Sequence, residues 1–471
     1  MDDPIFDANA QSNLYAALAC INMTPSDLGF AKDHGEPAVV LNWTRAALGD
    51  PLLLCKGAVG ILHSLSAERS TKVWELAAAL LEVPAPKANG EDPGQLSTDM
   101  WEGLDPVLAE SLARFMVEAR KANALLDRAY AKLSYDNQSY LAASFLGGSL
   151  DAEDREDIRK GLYDLGATSN DILRAVAEGN ALDPRPAATN YLALAGAIDL
   201  AALLEAGEVF QQAVKQVFSD TARVQQWPQG NLTVVTDLGQ VRIASKEDDT
   251  YVDKALLVIE PGGHNVYRGY SGVANGLDRR KRQRLSAIID LAGRDQYRAS
   301  SILSPGSALF GISVIIDADG DDVYNAAWIG QGVGLFGVGW VDDRGGSDSY
   351  QAFALAQGAA TYGLGYLRDR KGNDAYGVGF QGQAFAATMG VGLLVDEDGS
   401  DRYFAGGREP DHERNDDRYL SLAQGFSIGM RPYAGGGVAA LVDFAGNDTY
   451  VADIFGQGAS YWYSAGFLLD R

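Results

Sequence analysis

The sequence predicts an α+β multidomain chain. An N-terminal all-α helical domain spans residues 1–228, and a repeat β-solenoid, parallel β-helix-like, spans 229–471 with about 26–27 residues per coil. Three observations carry this. Apolar residues recur at three- and four-residue spacing in TKVWELAAALLEV and DPVLAESLARFMVEARKANALLDRAYAKL. The proline-bearing WPQGN at 227–231 is followed by a shift to glycine, β-branched and aromatic residues. An eight-residue motif then returns seven times.

In the helical part, Ser97, Thr98, Asp151 and Ser169 precede apolar-periodic runs where N-caps belong, and Gly166 and Gly179 stand as stops. Roughly seven to ten helices fit this length, which suggests an antiparallel helical domain rather than a coiled coil. Beyond the boundary, TVVTDLGQVRIA reads as two short strands.

The repeated motif runs EPGGHNVY at 260, DLAGRDQY at 290, DADGDDVY at 317, DRGGSDSY at 343, DRKGNDAY at 369, DEDGSDRY at 396 and DFAGNDTY at 443. Its tyrosines, Tyr267, Tyr297, Tyr324, Tyr350, Tyr376, Tyr403 and Tyr450, are spaced 30, 27, 26, 26, 27 and 47 residues apart. The last interval holds a polar insertion at about 406–420. Later units also carry a glutamine step, Gln-Gly at Gln331, Gln357, Gln424 and Gln457 and Gln-Ala at Gln383. Strand, turn, strand, turn is the economical reading of one unit, and its length suits a solenoid coil better than a propeller blade. Stacked coils place equivalent residues in columns about 4.8 Å apart. Tyrosines then form an aromatic ladder, glutamines an amide ladder, and glycines supply the left-handed corners.

The aspartates fall into columns too. Two carboxylates about 5 Å apart repel by roughly 3 kcal/mol at an effective dielectric of 20. Relief comes from water, from backbone N–H groups or from bound cations, and calcium favours six to eight hard oxygen ligands. The candidate metal ligands are Asp317, Asp319, Asp321, Asp322, Asp343, Asp348, Asp369, Asp374, Asp396, Asp398, Asp401, Asp443 and Asp448, densest in the DxDGD run at 317–321.

GGSDSY, KGNDAY, DGSDRY and AGNDTY resemble the GxDxU half of the calcium-binding nonapeptide of RTX proteins. That resemblance implies glycine and aspartate turns that hold calcium between successive coils, with the apolar residue of the motif turned inward. RTX copies follow every nine residues, whereas these recur every 26 or 27, so the RTX sharing of ions between two turn columns does not carry over. The region also resembles bacterial glycine- and aspartate-rich repeat proteins of unassigned activity.

Other motifs read weakly. GVGLFG at 332–337 has the GxGxxG spacing but sits inside a repeat, and GFSIG around Ser427 lacks a following helix. His34, His63, His264 and His412 form no HExxH pair, and Cys20 and Cys55 have no CxxC spacing. Asp411, His412 and Glu413, in the insertion GGREPDHERNDDRY, are candidate recognition residues. LDRRKRQRLS, with Arg279, Arg280, Lys281, Arg282 and Arg284, is the basic cluster of an acidic chain: it docks on the helical domain, binds an anionic polymer or forms an exposed loop.

A net charge of −24, from 63 acidic and 39 basic residues, argues against nucleic acid and anionic membranes as partners. No apolar run suits a membrane span. The start, MDDPIFDANA, lacks a secretory pattern, so an extracellular, cell-surface or periplasmic setting requires a removed upstream signal. The leading expectation is a non-enzymatic structural or interaction protein, with calcium as cofactor and protein partners or self-association through an open C-terminal coil, where Asp470 begins an eighth motif. The alternative is a carbohydrate-active enzyme, a polysaccharide hydrolase or lyase, using an acidic groove on the solenoid.

Overall fold

The computed structural model describes residues 8–24, 27–28, 37–66, 70–87, 97–148, 184–278, 282–299, 302–411 and 415–471. Eight α-helices appear among them: α1 (Ala8–Cys20), α2 (Asn42–Gly49), α3 (Leu52–Leu65), α4 (Ser70–Leu80), α5 (Pro106–Ala129), α6 (Tyr135–Gly148), α7 (Pro184–Ala195) and α8 (Leu200–Thr221). The expected caps at Ser97 and Thr98 instead precede a single 3₁₀ turn, Asp99–Trp101. The long α5 starts later, because Asp105 accepts the Val107 N–H at 2.9 Å and Pro106 pre-sets the first helical φ. Asp199 caps α8 through Ala202 at 3.0 Å. Asp151, Gly166, Ser169 and Gly179 lie outside the described residues.

A parallel β-solenoid of about 8 turns and ~27 residues per coil follows. The strands Leu232–Thr236 and Gly239–Ile243 form an antiparallel hairpin that covers its first coil, and successive coils then stack in parallel register. Each coil has three strands and not the two expected. In one coil these are Ile312–Asp317, Val323–Ala326 and Val333–Leu335, and they belong to sheets of ten, eight and seven strands respectively.

The extra corner explains the difference. Phe310, Phe336, Tyr362 and Met389 take left-handed φ of 43° to 52°, a conformation that these side chains seldom adopt and that no sequence pattern announces. The Gln-Gly corner also departs from expectation. Gln331 and Gln357 are themselves left-handed, with φ of 63° and 56°. Their amides do not pair with one another: each Nε2 donates to two backbone carbonyls, Tyr324 and Gln351 for Gln331, Tyr350 and Gly377 for Gln357. In this way each glutamine ties its own coil to the next.

Register is continuous. Asp290, Asp317 and Asp343 align in the ten-stranded sheet, and Tyr297, Tyr324 and Tyr350 align in the eight-stranded one. It survives the long interval as well, for Asp396 pairs with Asp443 and Tyr403 with Tyr450. Within that interval, Glu409–Asp411 and Asn415–Leu420 form an antiparallel hairpin.

The ten-stranded sheet is buried on both faces, which accounts for its near-continuous apolar strands. Ile288, Ile315, Val341, Leu367, Leu394 and Leu441 point into the coil and pack with the tyrosines. Val314, Trp340, Tyr366 and Leu393 point out and share one apolar cluster with the helices. Trp74 of α4 stacks on Trp340 at 5.3 Å, and Trp340 meets Tyr366 at 4.1 Å. The left-handed aromatic corner takes part: Tyr130 meets Phe310 edge-on at 5.5 Å and donates its hydroxyl to the Phe336 carbonyl at 2.7 Å.

Trp340→Ala removes the ring between Trp74 and Tyr366 and is expected to destabilise the fold by about 3–5 kcal/mol, as large buried aromatics do on truncation. Urea unfolding of the two proteins measures this.

Candidate metal centre

The motif supplies two carboxylates per coil to the interior. The first ends a strand of the ten-stranded sheet, and Asp290, Asp317, Asp343, Asp369, Asp396 and Asp443 are there fully buried. The second follows the turn: Asp295, Asp322, Asp348, Asp374 and Asp401 are each 1–2% exposed, while Asp448 in the last rung is partly buried. Glycine is required in between because the coils touch at this turn. A Cβ on Gly320 would collide with the Gly293 carbonyl and the Asp322 carboxylate.

Each carboxylate accepts at least one hydrogen bond from within the fold, and Asp290, Asp343, Asp369 and Asp443 also accept a backbone N–H at Oδ1, from Ala292, Gly345, Lys371 and Ala445. The first aspartate accepts a phenol from the preceding coil: Tyr297 donates to Asp317 Oδ2 at 2.5 Å, and Tyr324, Tyr350 and Tyr376 to Asp343, Asp369 and Asp396 at 2.7 Å. The second accepts a backbone N–H from its counterpart one coil back, Asp295 to Asp322 Oδ1 at 2.6 Å and likewise Asp322 to Asp348, Asp348 to Asp374 and Asp374 to Asp401. The other oxygen, Oδ2 of Asp295, Asp322, Asp348, Asp374, Asp401 and Asp448, has no hydrogen-bond partner. A buried carboxylate oxygen left this way is costly.

These oxygens converge. Five groups bring three carboxylates each within 4.8 Å: Asp290, Asp295 and Asp317; Asp317, Asp322 and Asp343; Asp343, Asp348 and Asp369; Asp374, Asp396 and Asp401; Asp401, Asp443 and Asp448. Such groups could hold a metal ion. Burial first, and neighbouring carboxylates second, push their proton affinities up. Asp322 and Asp348 rise to about 9, Asp374 and Asp443 to about 7, and Asp290, Asp317, Asp369 and Asp396 go well above the usual carboxylate range. Asp290 with Asp295, and Asp369 with Asp374, are close enough to share a proton.

Three expected ligands are placed elsewhere. Asp319, Asp321 and Asp398 lie on the solvent side of the turn and join none of the groups. Asp321 instead pairs with Arg294 at 2.9 Å and accepts the Ser347 N–H at 3.1 Å. In the DxDGD run the turn carries Asp319 and Asp321 outward, while Asp317 before it and Asp322 after it face the interior. Asp290 and Asp295 belong to the column although the candidate set began at Asp317; their motif, DLAGRDQY, was the available signal.

The remaining candidates do not converge on this column. Asp411 is buried in the insertion hairpin, and His412 and Glu413 lie outside the described residues. His264 accepts the Arg294 N–H through Nδ1 at 3.0 Å. Ser427 is fully buried and donates to the Ala386 carbonyl at 3.0 Å. GVGLFG covers a short strand and the left-handed Phe336 corner. Arg284 reaches the helices, to Asn123 at 2.6 Å and Asp127 at 2.7 Å, while Arg279, Arg280 and Lys281 lie outside the described residues. A second charged group was not anticipated: Asp342 accepts from Arg344 and Arg370 beside α8, and Arg368 pairs with Glu397. Burial opposes its ionisation, yet Arg370, Arg344 and Arg368 hold Asp342 below the usual range.

Fold and column together define a parallel β-solenoid with an acidic interior and a helical cover over one face. No family model, curated protein or solved structure matches the chain. Among the described residues no helix is long and apolar enough to cross a membrane.

The raised proton affinities fix a pH dependence. A carboxylate whose folded value exceeds its unfolded one contributes stability that is complete below the unfolded value and is lost as pH rises through the folded one. For the cation-free protein this loss begins at about 4 and, for Asp322 and Asp348, runs to about 9. Thermal melts in chelator should accordingly fall with rising pH across this window, and saturating calcium should flatten the decline.

Proposed function

We propose that this chain is a non-enzymatic interaction scaffold whose solenoid is stiffened by calcium ions bound along the aspartate column. The observation that carries this reading is the row of buried Oδ2 atoms without a partner, each converging with two further carboxylates. Charge balance supports it. From Asp290 onward each motif coil supplies two inner carboxylates, so one divalent cation per coil leaves the column neutral.

Chemistry and size favour calcium. Only oxygen ligands are present in these groups. Calcium tolerates six to eight oxygen ligands in irregular geometry at about 2.3–2.6 Å, which suits a crowded carboxylate column better than the near-ideal octahedron that magnesium demands. The carboxylates are closed to large molecules, since Asp317, Asp343 and Asp369 have no exposure. A polysaccharide cannot reach them, so the glycosidase reading gains nothing from this column. Partners would meet the outer faces of the eight- and seven-stranded sheets, the insertion hairpin, or the last rung, whose strands Thr449–Ala452, Ser460–Tyr461 and Ala465–Leu469 are the outermost of their sheets.

Metal analysis of protein purified in calcium is expected to return about one ion per complete motif coil, and terbium in its place should luminesce on tyrosine excitation, given phenols bonded to the ligand carboxylates. Removing calcium with a chelator should lower the melting temperature, since a site filled to 100 times its dissociation constant contributes about 2.7 kcal/mol. Asp322→Asn with Asp348→Asn should reduce the ion count. Absence of bound ions together with an unchanged melt would overturn the reading.

A further inference from the structure

We propose that the seam between the helical cover and the early coils of the solenoid binds an acidic sugar, a ligand with one carboxylate and several hydroxyls. This goes beyond the cation column and does not rest on it. The basic stretch LDRRKRQRLS, singled out by its charge in an acidic chain, has its last two arginines here. Two cavities of about 210 and 170 Å³ flank them, and Arg282 and Arg284 line both. The helix α5 supplies Asn123 and Asp127 to the walls, α6 supplies Gln138, and the turn of the first hairpin supplies Asp237.

Two unmet groups point to a ligand. Arg284 is fully engaged: it donates to the Asn123 carbonyl at 3.3 Å and to Asn123 Oδ1 at 2.6 Å, and it pairs with Asp127 at 2.7 Å. Arg282 is not. Its Nε donates to the Gly276 carbonyl at 2.9 Å, but its guanidinium forms no ion pair among the described residues. Burial and the like charge of Arg284 both work against its charged form, with Asp127 opposing them. A carboxylate bound to the free edge of this fork would reverse that balance. The second group is Gln138, which is 3% exposed and whose amide is oriented by donation from Nε2 to the Leu133 carbonyl at 3.4 Å. Its Oε1 is left buried at the cavity wall with no partner. A buried acceptor in this state is costly, and a hydroxyl from a bound molecule would satisfy it.

Charge balance narrows the chemistry. Arg282, Arg284, Asp127 and Asp237 face the cavities, and Arg120 donates to both oxygens of Asp237 at 2.9 and 2.8 Å. Three cations against two carboxylates leave one positive charge, which a single carboxylate cancels. A phosphate would bring further negative charge against Asp127 and Asp237. Those two carboxylates and the Gln138 oxygen are instead acceptors for hydroxyls, and Leu133, Leu238 and Leu285 offer apolar surface to the C–H face of a sugar ring.

The test is ligand-observed NMR on the full chain, with D-galacturonate as the probe and calcium held constant. Galacturonate is expected to bind with a dissociation constant on the order of 1 mM, as suits a ligand of this size. D-galactose, which lacks the carboxylate, should bind about tenfold more weakly, and Arg282→Gln should weaken galacturonate by about the same factor. Arg431→Gln, an exposed arginine near the last rung, should leave binding unchanged. Gln138→Met keeps the length of the side chain and removes the orphan acceptor, so it should weaken galacturonate too, which a contact made by charge alone would not do. Thermal melts show which variants are folded, and should the Arg282 variant not fold, the galactose comparison and Gln138→Met still decide. No binding of galacturonate at millimolar concentrations, equal affinity for galactose, tighter binding of inorganic phosphate, or full affinity in a folded Arg282→Gln or Gln138→Met protein would overturn the proposal.

Discussion

The fold depends on a burial that is unfavourable taken alone, namely two carboxylates per coil enclosed in an apolar interior. Water is excluded from the column, and the protein answers with a phenol for the first aspartate and a backbone N–H for the second. Both donors come from an adjacent coil. A coil therefore satisfies its charges only when its neighbour is in register, and a slip of one residue would strand every carboxylate at once. Interiors built this way gain specificity of register from groups that contribute little net stability.

Three further devices repeat the same logic at different corners. The glutamine amides bridge carbonyls of two coils, the glycine turns let carbonyls of stacked coils touch, and the outward Trp340 and Tyr366 give the helices a surface to cover. The helices are thus part of the solenoid's core rather than a separate globule beside it. Their cover turns what would be a wide exposed apolar sheet into a buried layer.

Much of this architecture was legible in the sequence because a strict period turns one residue's environment into seven. The tyrosine column and the two-residue alignment of aspartates follow from spacing alone. The number of sides per coil was not legible, since the third corner is made by Phe310, Phe336 and Tyr362 in a conformation normally left to glycine. The metal candidates divided for a related reason. Asp317 and Asp322 turn inward while Asp319 and Asp321, in the same six-residue run, turn outward, and proximity along the chain says nothing of that division. The charged seam of Asp342, Arg344 and Arg370 depended on where α8 lies, which no local pattern encodes.

One tyrosine interval is 47 residues where its neighbours are 26 or 27, yet the coils on either side of it pair as if nothing intervened. Length at that corner is thereby uncoupled from the integrity of the stack. Evolution can lengthen, shorten or replace the hairpin there without retuning a single rung, and a protein engineer can graft foreign loops onto the same position of a support whose geometry is set elsewhere.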